Sequence, residues 1–147
     1  MKRDPFVLRL KPGMKAEYKR RHDEIWPEML ELLDRQGLRN YSIWAIGDFL
    51  FGYREICGDY QPTEADRALE ARWAEYMKDC YDVVAMSKDM RLMYSDIGIV
   101  REDKSLIRHR VFATKLKPGC AEEYKRRHDE LVAARDGTVK EGPESNF

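Results

Sequence analysis

The chain has 147 residues, enough for one domain or one domain with an appendage and too few for two full-sized ones. Its 27 Lys and Arg balance 27 Asp and Glu, so no basic excess marks it as a nucleic-acid binder. With 43% apolar and 11% aromatic residues it can bury a core, which argues against disorder throughout.

Phe6, Leu8 and Leu10 alternate with Val7 and Arg9, which predicts a strand from Pro5 to Lys11. Pro12-Gly13 marks a turn, and Met14 to Glu24 reads as a charged helix. Trp26-Pro27 interrupts it. A second helical segment is expected from Pro27, with Met29, Leu30, Leu32 and Leu33 as its apolar face and Gly37 as its stop. Arg39–Ile46 and Phe49–Ile56 read as a hairpin around Gly47-Asp48. Gln61-Pro62-Thr63 opens another helix running to about Cys80, with Thr63 and Asp66 in capping positions. Met90 to Val100 is expected to form the last strand.

The order βα, ββ, α, β fits an α+β, ferredoxin-like sandwich with an antiparallel sheet. One sheet face carries helices and the other is open. An open apolar face needs a cover, so a face-to-face homodimer is expected.

Cys57, Cys80 and Cys120 lie far apart, with no CxxC or CxxH pair, so neither a disulfide framework nor a zinc site is signalled. His22, His109 and His128 are too scattered for a metal triad. No run approaches the roughly 18 apolar residues of a membrane span, and Met1 to Pro5 shows no apolar leader. A cytoplasmic protein with no membrane partner is expected.

The chain repeats its own opening. Phe6–Ile25 and Phe112–Leu131 are identical at 13 of 20 positions, at a constant offset of 106. The likeness then ends, so the second copy holds only the start of a unit. Residues 1–100 are read as the complete domain. Residues 101–147 are read as a truncated partial repeat in which 108–117 adds a strand or packs on the dimer edge, with a helix at 120–135 beside it and a flexible tail from Gly137. Tyr124 and His128 duplicate Tyr18 and His22, but the copy has no counterpart of Tyr41 or Trp73 and cannot build a second pocket.

Tyr18, His22 and Trp26 are spaced by four and share one stripe if the first helix reaches Trp26. A histidine titrates near neutrality, a phenol can hydrogen-bond hydroxyls, and an indole offers a stacking face. On spacing alone the same residues also suit a surface or a helix contact. Lys19, Arg20 and Asp23 are expected to face water, and Glu17 to pair with Arg21. Tyr41 points either into a cleft between sheet and helix or into the core. Trp73 and Met77 have ordinary core spacing.

The motifs AEYKRRH with IWPE at 16–28, NYSI at 40–43, LFGYREI at 50–56 and RWAEYM at 72–77 resemble the L-rhamnose mutarotase family, in the right order over about 95 residues. The resemblance implies a ferredoxin-like fold dimerising as an α/β barrel, and interconversion of the α and β anomers of L-rhamnose or a related 6-deoxy-hexose. It implies that His22 is the proton donor, that Tyr18 and Tyr41 contact the sugar, and that Trp73 is the first of two tryptophans lining the site. Ala74 stands where the second is usual. The chemistry calls for no metal and no cofactor, and for a monosaccharide as the partner. Water, Tyr18 or a carboxylate from the partner subunit could be the second acid–base group. Two other classes compete: a non-catalytic sugar-binding module, and a cofactor-independent monooxygenase or haem-degrading enzyme on the same scaffold.

Overall fold

The structure is a computed structural model that describes residues 1–93 and 112–134. The chain divides into two compact units, residues 1–91 and 92–147.

In the first unit, β1 (Lys2–Arg3) and β2 (Phe6–Leu10) run one after the other along one edge of β4 (Phe49–Ile56). The other edge of β4 holds β3 (Leu38–Ile46), and the far edge of β2 holds β5 (Tyr81–Ala85); every pairing is antiparallel. Helices α1 (Lys15–Asp23) and α2 (Pro27–Arg35) link β2 to β3, and α3 (Glu64–Met77) links β4 to β5. Counting β1 and β2 as one interrupted strand, the spatial order is fourth, first, third, second. That is the ferredoxin-like arrangement, as the element order suggested.

The last strand is displaced from its expected place. It forms at Tyr81–Ala85, with Leu10 opposite Tyr81 and Leu8 opposite Val83. Helix α3 stops at Met77, short of Cys80, and Tyr81, Asp82 and Val83 pair with Leu10, Arg9 and Leu8 of β2. Residues 90–93 are not in a strand, and 94–100 lie outside the described residues.

The helix-facing side of the sheet supplies Phe6, Leu8, Leu10 and Leu50, which pack with Tyr18, Met77 and Cys80 as the core. Gly52 faces Phe6 across β2 and β4, and its lack of a side chain is what the Phe6 ring requires: a Cβ there would meet Phe6 Cζ at 1.9 Å. The opposite side carries Trp44, Ile46 and Phe49, all 39% exposed or more.

Local signals fix the helix ends. Trp26 has extended backbone and Pro27 starts α2, whose Met29 and Leu32 are buried. Gly37 ends it at φ +70, and its carbonyl accepts from Cys57 N at 2.9 Å. Asp66 serves as the Glu or Gln of a capping box. Thr63 Oγ1 accepts from Asp66 N at 3.2 Å, and Asp66 Oδ2 accepts from Thr63 N at 2.8 Å. The same carboxylate accepts from the Tyr60 hydroxyl and from Arg35, tying the end of α2 to the start of α3.

In the second unit, α4 (Ala121–Ala134) is helical with the repeated sequence, and it repeats the local contacts of α1. Arg126 and Arg127 both donate to Glu123, as Arg20 and Arg21 do to Glu17. Residues 112–117 are not in a strand; 108–111 and the tail from 137 lie outside the described residues. In the first copy, Phe6, Leu8 and Leu10 face the core, whereas the repeat places Thr114 where the first copy has Leu8. That leaves one apolar anchor fewer for a buried strand.

Candidate active site

Helix α1 is almost wholly charged, and Tyr18 is its one buried residue. A helix so polar needs anchors other than burial, and Arg21 is one. Its side chain is only 12% exposed and pairs with Asp79 at 2.6 Å. It also donates to the Tyr76 carbonyl at the end of α3 and lies 4.6 Å from the Tyr76 ring centroid. A cation beside the last carbonyls of a helix is favoured by the helix dipole. Arg21 is therefore a structural clasp as well as the expected partner of Glu17. Arg20 and Arg21 together hold the Glu17 carboxyl down at about 2.

With α1 so fixed, Tyr18 and His22 come together one turn apart. Their ring centroids are 4.2 Å apart, and His22 Nδ1 lies 3.0 Å from the Tyr18 carbonyl. A carbonyl only accepts, so Nδ1 carries the proton, and neutral His22 presents Nε2 as an unprotonated base. Burial pushes the His22 pKa below 6.5, against the Tyr18 carbonyl bond and the Asp23 charge, which favour the charged form.

Trp73 on α3 stands edge-on to His22 at 5.7 Å. Trp26 meets Trp73 at 5.2 Å and nearly at right angles. Helix α1 ends at Asp23, so Trp26 does not share a continuous helical stripe with Tyr18 and His22. It reaches the aromatic group from the extended step before Pro27, with Arg72 3.9 Å from its ring centroid. Ala74 is exposed. Trp26, from the IWPE motif, is the indole that packs against Trp73.

Tyr41 comes from a β-bulge in β3 between Arg39 and Ser42, where Asn40 has φ 49. Asn tolerates that left-handed conformation, and its side chain donates to Glu55 at 2.6 Å. Tyr41 keeps 40% of its surface exposed, yet its ring meets Phe6 at 6.4 Å. Its hydroxyl end is desolvated enough that burial raises its pKa. It lies against Phe6 and Arg54, both on the helix-facing side of the sheet, and is not among the buried core residues.

Tyr81, at the start of β5, stands edge-on to Tyr18 at 5.9 Å. The phenols of Tyr18, Tyr41 and Tyr81 influence one another electrostatically, and burial raises the pKa of each. All three remain protonated near neutral pH and act as neutral hydrogen-bonding groups. Sequence reading missed Tyr81 because the strand that presents it was placed further along the chain.

The four predicted site residues thus gather in the first unit. Tyr18, His22 and Trp73 are linked through ring contacts, whereas the ring contact of Tyr41 is with Phe6. A separate cavity of about 300 Å³ between α2, the ends of β3 and β4, and the start of α3 shares none of these four side chains, although Arg54 lines it. Among the described residues no group of three or more His, Cys, Asp and Glu converges as a metal site would. No helix among them is long and apolar enough to cross a membrane.

A family model described as L-rhamnose mutarotase matches residues 3–95. An L-rhamnose mutarotase of Rhizobium etli is 52% identical over 95 residues, covering 63% of this chain and 87% of that protein. Another, from Rhizobium johnstonii, is 35% identical over 103 residues, covering 68% of this chain and 94% of that one. The crystal structure of an L-rhamnose mutarotase from Formosa agariphila is 32% identical, with a TM-score of 0.46, and the match covers 55% of this chain and 80% of that chain.

Proposed function

The chain belongs to the L-rhamnose mutarotase family, a family of anomer-interconverting isomerases, and we propose that it acts on L-rhamnose through His22, Tyr18, Tyr41 and Trp73. The observation that carries the site assignment is the pairing of a half-buried, neutral His22 with a surround of protonated phenols and indoles.

Mutarotation breaks the C1–O5 bond, rotates C1–C2 and closes the ring on the other face. The anomeric hydroxyl loses a proton and the ring oxygen gains one; nothing is oxidised. Both oxygens are bonded to C1, so one nitrogen can serve both. In this reading neutral Nε2 of His22 takes the anomeric proton and the imidazolium returns it to the ring oxygen. Tyr18 stays protonated because burial raises its pKa, so it orients a sugar hydroxyl and is not the second base. Trp73, flanked by Trp26, offers the stacking surface.

A second copy of the chain covers the open sheet face, where Trp44 lies opposite Phe51 and Ile46 opposite Phe49. The three cysteines are unpaired, which fits a reducing cytoplasm. Exchange NMR at the anomeric protons, with L-rhamnose, L-fucose, L-lyxose and D-glucose side by side, tests the substrate. Enhancement largest for L-rhamnose supports it; enhancement confined to another sugar moves the substrate and keeps the chemistry.

A further inference from the structure

Tyr81 opens β5 directly opposite Leu10 of β2. Residues opposed in an antiparallel pair project to the same face of the sheet, and Leu10 is buried in the core beneath the helices. Tyr81 therefore lies on the helix-facing side, half-buried against that core. Its ring stands edge-on to Tyr18, with centroids 5.9 Å apart and planes at 77°. Tyr18 in turn meets His22 at 4.2 Å, and His22 meets Trp73 at 5.7 Å. The four rings form one row of contacts, with Tyr81 and Trp73 at its ends and Tyr18 and His22 between them.

The two phenols of this row share a second property. The hydroxyls of Tyr53, Tyr60 and Tyr76 have partners on the chain, in Glu55, Asp66 and Arg20. Among the described residues, the hydroxyls of Tyr18 and Tyr81 have none. Tyr18 is only 7% exposed. A hydroxyl buried that deeply carries its full desolvation cost until something bonds to it, so the Tyr18 hydroxyl calls for a ligand. A phenol both donates and accepts. Burial raises the pKa of both phenols and keeps them protonated at neutral pH. Side by side they suit a ligand that presents several hydroxyls at once, as a sugar ring does. Tyr18 lies between Tyr81 and His22 in the row, so the hydroxyl that Tyr81 meets is away from the anomeric centre on which His22 acts.

We propose that Tyr81 is a further sugar-binding residue: beside Tyr18, it hydrogen-bonds a ring hydroxyl at C2, C3 or C4 and so takes part in the choice of sugar. This rests on the reading that the row of Tyr18, His22 and Trp73 receives the sugar. A sugar without that hydroxyl leaves the Tyr81 phenol unpaired and binds less well. Tyr81 lies outside the four motifs on which the family resemblance rests.

The test combines Tyr81→Phe with L-rhamnose and with its three analogues lacking the hydroxyl at C2, C3 or C4. KM and kcat are read by anomeric exchange. Tyr81→Phe is expected to raise KM for L-rhamnose by about three- to tenfold, the worth of one hydrogen bond, with a smaller change in kcat. Once Tyr81 is Phe, removing one of the three hydroxyls should cost about three- to tenfold less than it does in the wild type, while the other two penalties stay as they were. A ring that merely packs against Tyr18 distinguishes no hydroxyl. Equal penalties for all three analogues in the two proteins therefore overturn the proposal. Ring-labelled tyrosine gives an independent reading, which also serves should Tyr81→Phe fail to fold: the Tyr81 ring is expected to show intermolecular NOEs to bound L-rhamnose, and their absence while the sugar binds overturns the proposal. Wild-type protein that accelerates no sugar, yet shows those NOEs, refutes the mutarotase reading and supports Tyr81 as a sugar contact. Neither acceleration nor NOEs would refute both.

Discussion

Adding one methyl group at Gly52 tests how the Phe6 ring supports the site. The Cβ of a Gly52→Ala variant would lie 1.9 Å from Phe6 Cζ and 2.3 Å from both Cε atoms. Carbon atoms settle about 3.5–4.0 Å apart, so the ring or the strand must retreat by about 1.5 Å. The ring lies over Gly52 by strand register and is 6% exposed. It cannot retreat without disturbing Tyr41 and Arg54, which lie against it. Overpacking a closed core costs about 1–3 kcal/mol. Expelling the ring would forfeit about 1.5–3 kcal/mol of burial. An overall loss of about 2–4 kcal/mol is expected by urea unfolding, with an unchanged m-value. Phe6→Leu removes the colliding ring atoms, so it should cost clearly less in the Gly52→Ala background than alone, a coupling of about 1 kcal/mol or more. A Gly52→Ala protein within about 0.5 kcal/mol of wild type, and additive with Phe6→Leu, would refute this packing argument.

Three further outcomes are expected. Gly37→Ala should destabilise by about 2 kcal/mol or more in the same assay, because Gly37 has φ +70 and a Cβ would meet Cys57 O at 1.9 Å; no change would place the α2 stop elsewhere. Burial lowers the folded pKa of His22 below 6.5, so the unfolded chain binds the proton more readily. Its contribution to stability is present above 6.5 and is lost as pH falls through the lower folded value; His22→Gln should flatten that segment of the stability–pH curve. Deleting residues 105–147 should leave anomeric exchange intact, since the site gathers within the compact unit 1–91; a folded but inactive deletion would assign the partial repeat a catalytic part.

Local signals made most of the fold legible. Gly47-Asp48 set the hairpin, Pro27 and Gly37 bounded α2, and Thr63 with Asp66 opened α3. The last strand was misplaced because Tyr81 follows α3 after only three residues, and Tyr81-Asp82-Val83-Val84 lacks a clean alternation. Tyr81 was missed with it. The paired spacing of Tyr18 and His22 was readable, since one helical turn brings them together wherever the helix packs. Tyr41 needed the bulge at Asn40, for which an Asn beside a β-type run was the sole hint. The Asp4–Arg54 pair spans 50 residues, and no periodicity announces such a contact. Arg21 was expected to pair with Glu17 alone, because the Asp79 and Tyr76 groups that also bind it lie far off in sequence.

The most direct test of the central claim is anomeric exchange of L-rhamnose with wild-type protein and with His22→Ala, alongside saturation-transfer detection of sugar binding. Faster exchange in the wild type, lost in His22→Ala while sugar binding persists, is the predicted result. Exchange that survives in folded His22→Ala would contradict the assignment of the proton relay to His22.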